Sequence, residues 1–151
     1  MMNYNDFIKE YEVIKKKRPI LFQLEHDNPA DRETINEKEI YYGIQFPESY
    51  RNILTAFGGG YWGFIKIYSV DSNGKFNIND YVSKEFVDKY SFLPIVDLET
   101  GDFIGYNISD GKCTEELLLW LHEEQKKISI IFDFYELLIF KGLKNQTLLI
   151  Q

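Results

Sequence analysis

Residues Gly43–Tyr68 read GIQFPESYRNILTAFGGGYWGFIKIY, and this stretch sets how one helix meets one sheet. Pro47 suits the first turn of a helix, because its φ is already fixed there and its missing N–H would be unpaired in any case. Tyr50, Ile53, Leu54 and Phe57 follow at i, i+3, i+4 and i+7, the spacing of one apolar helical face. Gly58, Gly59 and Gly60 end that helix, since residues without Cβ can take the left-handed conformation that closes the last carbonyls. Tyr61 to Val70 is aromatic and β-branched and is predicted as a strand.

Working outward toward the N-terminus, Asn5–Lys17 carries Phe7, Tyr11 and Ile14 on one helical stripe. Its basic end, Lys15 to Arg18, complements the helix dipole and reads as a solvated last turn rather than a binding patch. Pro19 stops the helix, Ile20–Leu24 is predicted as a short extended segment, and His26 to Asp31 has loop chemistry. A second helix is predicted over Ile35–Tyr42, with Asn36 and Glu39, or Thr34 and Glu37, at capping-box spacing and Gly43 as its stop.

Toward the C-terminus, Asp71-Ser72-Asn73-Gly74 is a turn signal, and Ile78, Tyr81, Val82 and Phe86 predict a helix near Asn79–Lys89. Leu93–Asp97 and Phe103–Ile108 read as a hairpin around Leu98–Asp102. Leu117–His122 is a continuous apolar run, as in a strand buried on both faces. Ile130–Lys141 returns to helical spacing, with Ser129 as its cap and Gly142 as its stop, and Thr147–Ile150 is predicted as an edge strand. Helices thus come before, between and after a mainly antiparallel set of strands, which is α+β organisation. With no repeat or linker in view, residues 1–151 are expected to form a single domain.

Composition excludes several function classes. One cysteine, Cys113, allows no internal disulfide and no cysteine-based zinc cluster, which fits a reducing, cytoplasmic setting. No signal-peptide pattern and no membrane-length apolar run is present. A net charge of −7 disfavours nucleic-acid contact, which requires a basic face. From Asp97 to Glu124 eight acidic residues stand against the single base Lys112, so a basic partner would be steered to this segment.

Catalytic readings are weaker than packing readings throughout. Asp97, Asp102 and Glu123 could divide acid and base roles, yet an aspartate after Gly101 is ordinary turn chemistry. His122 is a lone histidine, and His26 lies far off without HExxH spacing, so no metal site and no cofactor are assigned. Ser49 lacks a GxSxG elbow. In Gly58–Gly60 a helix precedes and a strand follows, the reverse of a phosphate loop, and no lysine comes after. Cys113 has no activating neighbour in sequence. Tyr61 and Trp62 remain open between capping the core and anchoring a partner, whereas Trp120, inside an apolar run, reads as core.

Three blocks carry a family resemblance. Gly43-Ile44-Gln45-Phe46-Pro47-Glu48-Ser49-Tyr50 with Gly58-Gly59-Gly60 resembles the "LGI-x-LP-x-SY... NGG" signature of the SUKH superfamily, the Smi/Knr-like proteins. Leu93-Pro94-Ile95-Val96-Asp97 through Gly101-Asp102 resembles that family's "LPIG-x-D-x-x-GD" hairpin, and Trp120 with His122 and Glu123 its "WDHE" strand end. Val96 stands where glycine is usual and Leu121 where aspartate is usual. The resemblance implies a central twisted, mainly antiparallel sheet with helices packed around it.

It also implies a non-enzymatic binding protein, the immunity partner of a bacterial polymorphic toxin. Such a protein binds the toxin's C-terminal domain, often a nuclease and here of the LXG-bearing kind, and occludes its basic cleft. The alternative is a regulatory or scaffold module of cell-wall signalling. For the first function Glu99, Asp102, Glu115 and Glu116, with Tyr61 and Trp62, are the expected partner-binding residues, through charge complementarity and steering.

Overall fold

A computed structural model describes residues 1–148 and 150. Six strands form one sheet in which sequence order is also spatial order, and every neighbouring pair is antiparallel. They are β1 (Gly60–Trp62), β2 (Ile65–Ile67), β3 (Phe92–Asp97), β4 (Phe103–Ser109), β5 (Lys112–Leu121) and β6 (Lys126–Ser129). Five helices surround the sheet: α1 (Tyr4–Lys17), α2 (Arg32–Tyr42), α3 (Glu48–Ala56), α4 (Lys84–Tyr90) and α5 (Phe134–Glu136), the last continuing as a π-helical turn over Leu137–Leu143. The architecture is the expected α+β one.

The organising helix is where its spacing puts it. Pro47 is the N-cap of α3, and Tyr50, Ile53 and Leu54 are completely buried. The Tyr50 hydroxyl donates to the carbonyl of Tyr68 at 2.7 Å, so the helix is fixed to the chain leaving β2 by a satisfied buried polar group. Likewise the Tyr42 hydroxyl at the end of α2 donates to the carbonyl of Val82 at 2.7 Å, tying that helix to the approach to α4.

The strand expected over Tyr61–Val70 is instead a tight hairpin. Gly63, at φ +61°, turns the chain after β1, and Tyr61 pairs with Lys66 across it. The outer edge of β1 is shielded by the N-terminal loop: the amide of Tyr61 donates to the carbonyl of Glu25 at 3.0 Å, and the amide of Asp27 to that of Gly59 at 2.7 Å. Such a close approach requires Gly60, where a Cβ would lie 2.4 Å from the Cα of His26.

Other departures have equally local causes. Ile20–Leu24 is not extended: Pro19–Phe22 forms one 3-10 turn. Asp31, rather than Thr34 or Asn36, caps α2 by accepting from the Thr34 amide at 2.8 Å, which starts the helix at Arg32. The helix expected near Asn79–Lys89 divides into a 3-10 turn, Ile78–Asp80, and α4, because Ser83 caps a new start by accepting from the Phe86 amide at 3.1 Å.

β5 begins earlier than expected, and β6, polar and four residues long, was not anticipated. Ser129 therefore lies in a strand, and the C-terminal helix starts later, at a capping box made by Asp133 and Glu136. The edge strand expected over Thr147–Ile150 includes Leu149, which lies outside the described residues, while Ile150 bridges Ile130.

The core occupies both faces of the sheet. Adjacent residues of β5 point opposite ways: Leu119 joins the main cluster with Phe7, Tyr50, Leu54 and Phe134, whereas Trp120 packs with Phe92 and Leu118 beneath Phe86 and Tyr90 of α4.

Candidate partner-binding surface

The β1–β2 hairpin sorts its aromatic pair. Trp62 faces inward: it is 9% exposed, stacks on Phe7 at 5.8 Å and donates its indole N–H to the carbonyl of Leu138 at 3.1 Å. Its place is therefore the core, which corrects the expectation that it meets a partner. Tyr61 points the other way, 37% exposed beside Lys66.

Lys66 in turn pairs with Asp97 at the end of β3. After Asp97 the backbone turns sharply at Glu99, φ +60°, whose amide donates to Asp97 Oδ1 at 2.7 Å. That turn brings the Glu99 carboxylate back to accept from the Tyr61 hydroxyl at 3.1 Å and to lie 3.5 Å from Lys66 Nζ. Asp97 Oδ2 lies 3.4 Å from the same ammonium and accepts from the Tyr68 hydroxyl at 3.2 Å.

Aromatic rings complete the surface. Tyr81 stacks on Tyr68 at 5.1 Å, donates its hydroxyl to the carbonyl of Lys75 at 2.7 Å, and holds Lys66 Nζ 5.2 Å from its ring centroid. Phe76 meets Tyr61 edge-on at 5.5 Å. Burial works to lower the Lys66 pKa, but the charges and hydrogen bonds of Asp97 and Glu99 outweigh it and hold the ammonium above its ordinary value. The hydrogen bond to Glu99 and that residue's charge raise the Tyr61 hydroxyl. A lysine neutralised by two carboxylates thus stands between exposed tyrosines, leaving the Glu99 side chain half-exposed and Glu25 paired with Lys75 at 2.9 Å on the adjoining loop.

The other expected residues do not gather here. Asp102 occupies the same β3–β4 turn as Glu99, but its Oδ1 accepts from both the backbone amide of His122 at 3.0 Å and the ring Nδ1 at 2.8 Å. Hydrogen bonds from His122, ring first and then backbone, hold the Asp102 carboxyl below its usual value. These contacts tie the β3–β4 turn to the β5–β6 turn, the structural role that turn chemistry implied. Glu115 and Glu116 lie toward the opposite end of β5, about 13 to 17 Å along the strand from Trp120, which pairs with Phe103.

A bulge there sets Thr114, Glu115 and Glu116 opposite Asn107. Glu115 lines a hollow of about 300 Å³ with Ser49, Tyr106 and Asp133, while Glu116 accepts from the Ser129 hydroxyl on β6. The acidic segment from Asp97 to Glu124 is accordingly not one face. Ser49 meets the Tyr106 hydroxyl at 3.1 Å. Cys113 is partly buried, and desolvation first, then the charge of Glu39, pushes its thiol up to about 12.

Sequence reasoning missed Lys66, Phe76 and Tyr81, because only strand register and the return of the chain after Gly74 bring them to Tyr61. It also missed Asp27, a buried carboxylate in the N-terminal loop that accepts from Ser69 Oγ at 2.5 Å and from the amides of Lys75 and Phe76, each at 2.9 Å. This carboxylate fixes the loop that presents Phe76 to Tyr61.

Among the described residues no group of three or more His, Cys, Asp or Glu is placed to hold a metal ion, and no helix is long and apolar enough to cross a membrane. No curated protein matches the chain. The family model described as SUKH_6, SMI1-KNR4 cell-wall, matches residues 32–138, more than two thirds of the 151, and the span holds α2 through α5 together with the start of the π-helical turn. The chain therefore belongs to the SUKH superfamily.

Proposed function

We propose that this protein is an immunity protein without catalytic activity, which binds the C-terminal domain of a cognate polymorphic toxin and blocks it. The preferred target is a nuclease domain of an LXG-bearing toxin, whose cleft must be basic to hold phosphates. The observation that carries this reading is the contact of Tyr61 with Glu99 beside Asp97 and Lys66, because it makes a preformed aromatic and carboxylate surface on a chain of net charge −7. Rigid tyrosines supply contact area at low entropic cost, and carboxylates around them steer a basic partner. Within the surface, Tyr61 and Glu99 are the contact residues. Asp102 supports the turn behind them, and Glu115 and Glu116 contribute long-range field from the far end of β5.

Coexpression tests this. The toxin domain encoded beside this chain should arrest growth alone and cease to do so when the chain is coproduced. Glu99→Lys should weaken the protection and the complex together. Continued arrest in the presence of the folded wild-type protein would reject the reading.

The family description, SMI1-KNR4 cell-wall, supports a second reading: a regulatory module that docks on a cell-wall signalling protein. It predicts an effect of deletion on sensitivity to wall-damaging agents in cells that carry no toxin gene.

A further inference from the structure

A separate cavity of about 270 Å³ opens beside β1, where the N-terminal loop covers that strand. It is lined by residues that precede the family-matched span, Tyr11, Phe22 and His26, and by Phe57 and Trp62 from within it. Four of these rings pack on one another into one wall: Tyr11 meets Phe22 edge-on at 5.1 Å, Phe57 at 4.9 Å and Trp62 at 5.6 Å, and Phe57 meets Trp62 at 5.2 Å. Each ring is thus held by its neighbours, so the wall stands without a ligand.

Two side chains with polar nitrogens line the cavity, Lys15 and His26. Lys15 Nζ lies 5.7 Å from the Tyr11 ring centroid, above the apolar wall. Lys16, Lys17 and Arg18 continue from it, and none of these four basic residues enters an ion pair among the described residues. His26 Nδ1 lies 3.0 Å from the carbonyl of Asp27, which can only accept, so Nδ1 carries the proton and Nε2 remains the free ring nitrogen. Two carboxylates lie nearby: Glu25 is paired with Lys75, and Glu12 is close enough to raise the Tyr11 hydroxyl, after burial of that ring.

We infer that this cavity binds a small apolar carboxylic acid, its hydrocarbon part against the packed aromatic rings and its carboxylate at Lys15. Charge selects the class: on an acidic protein the mouth of this apolar pocket carries the exposed ammonium of Lys15, which enters no ion pair among the described residues and attracts an anion. Size selects the range. A cavity of about 150 Å³ holds benzene, so this one holds about ten to twelve non-hydrogen atoms.

The probe is 4-phenylbutanoate, titrated into the whole protein while the amide resonances of Gly59, Gly60 and Gly63 are followed. Saturable shifts with a dissociation constant below about 1 mM are expected, in line with the affinity a ligand of this size can reach. The neutral 4-phenylbutanamide and the Lys15→Glu variant should each weaken binding at least about fivefold. Leu24→Asp, which sets a like charge on the exposed part of the wall, should do the same without unfolding the protein.

Equal binding of acid and amide, or no saturation with the acid, overturns the proposal. Binding of acetyl-Gly-Phe about tenfold tighter than the simple acid also overturns it, in favour of a polypeptide C-terminus as the occupant. None of these outcomes depends on toxin recognition, so the two readings fail separately.

Discussion

The indole N–H of Trp62 donates to the carbonyl of Leu138, while the hydroxyl of the preceding residue, Tyr61, reaches Glu99 on the other side of the hairpin. One step along a strand therefore separates a core residue from a surface one. Trp62→Ala should cost about 3–5 kcal/mol of stability by urea unfolding, since it empties a packed aromatic site. Tyr61→Ala should cost less than about 1 kcal/mol, the scale of an exposed substitution, yet weaken the proposed toxin complex about tenfold or more. A Tyr61 variant that binds its partner at full affinity would remove this surface from the interface.

Asp27 is the structural carboxylate on which that surface depends. It is 7% exposed and receives one hydroxyl and two amides. Asp27→Ala leaves buried donors unpaired and should destabilise by about 3–5 kcal/mol. Asp27→Asn keeps one acceptor oxygen but turns an NH₂ group toward an amide, and should cost about 2–3 kcal/mol. Thermal and urea unfolding of the two variants check the order, and a neutral Asp27→Ala would show that the loop after Ser69 needs no anchor.

Much of this arrangement was legible in the chain. Tyr50, Ile53 and Leu54 announced the buried face of α3 by spacing alone, and Asp71 to Gly74 announced a turn that closes by a 3.0 Å hydrogen bond between its ends. Gly63, after Trp62, was a hairpin signal hidden inside an aromatic run that otherwise looked like one strand. β6 had no apolar alternation to reveal it, because Lys126 and Lys127 are edge residues whose partners lie in β5. The surface was half legible. Tyr61 and the acidic balance were visible, but which carboxylates share a face depends on register and on the bulge opposite Asn107, and these long-range pairings leave no mark in local spacing.

Lys66 gives the surface a pH signature. Its ammonium is held above its ordinary pKa once the carboxylates are set against burial, so its contribution to stability is complete below the unfolded value of about 10.4 and is lost as pH rises through the higher folded value. Lys66→Met should therefore cost a constant amount, under about 1.5 kcal/mol because Glu99 is half-exposed, from neutrality to about pH 9.5. Above about pH 10.5 the wild-type and variant stabilities should converge. A gap that widens with pH would reverse the assignment.

Gly105 marks the tightest approach within the sheet. It pairs with Pro94 on one side and Leu118 on the other, and a Cβ there would lie 2.0 Å from the carbonyl oxygen of Leu93. That neighbour is backbone at the completely buried Leu93, so the ladder itself would have to open. Gly105→Ala should cost about 2–4 kcal/mol, a large loss for the smallest substitution, whereas Gly111→Ala, where space is open, should be limited by backbone strain to about 1–2 kcal/mol. Chemical denaturation of both variants makes the comparison.

Cys113 should be a slow thiol for a stated reason. Burial raises its pKa to about 12, against about 8.5 for a free cysteine, so at about pH 8 its thiolate fraction falls by more than about a thousandfold. A more basic thiolate is also a stronger nucleophile, and that gain of about thirtyfold offsets part of the loss. The balance is a reaction with an aromatic disulfide reagent about 50- to 100-fold slower than that of a free thiol, before any shielding by the surrounding side chains. Denaturing urea should restore the ordinary rate. If the folded protein reacted as fast as the unfolded one, the amide of Cys113 could not be holding β5 against the carbonyl of Gln45 as it does at 3.0 Å, and the start of that strand would have to open freely in solution.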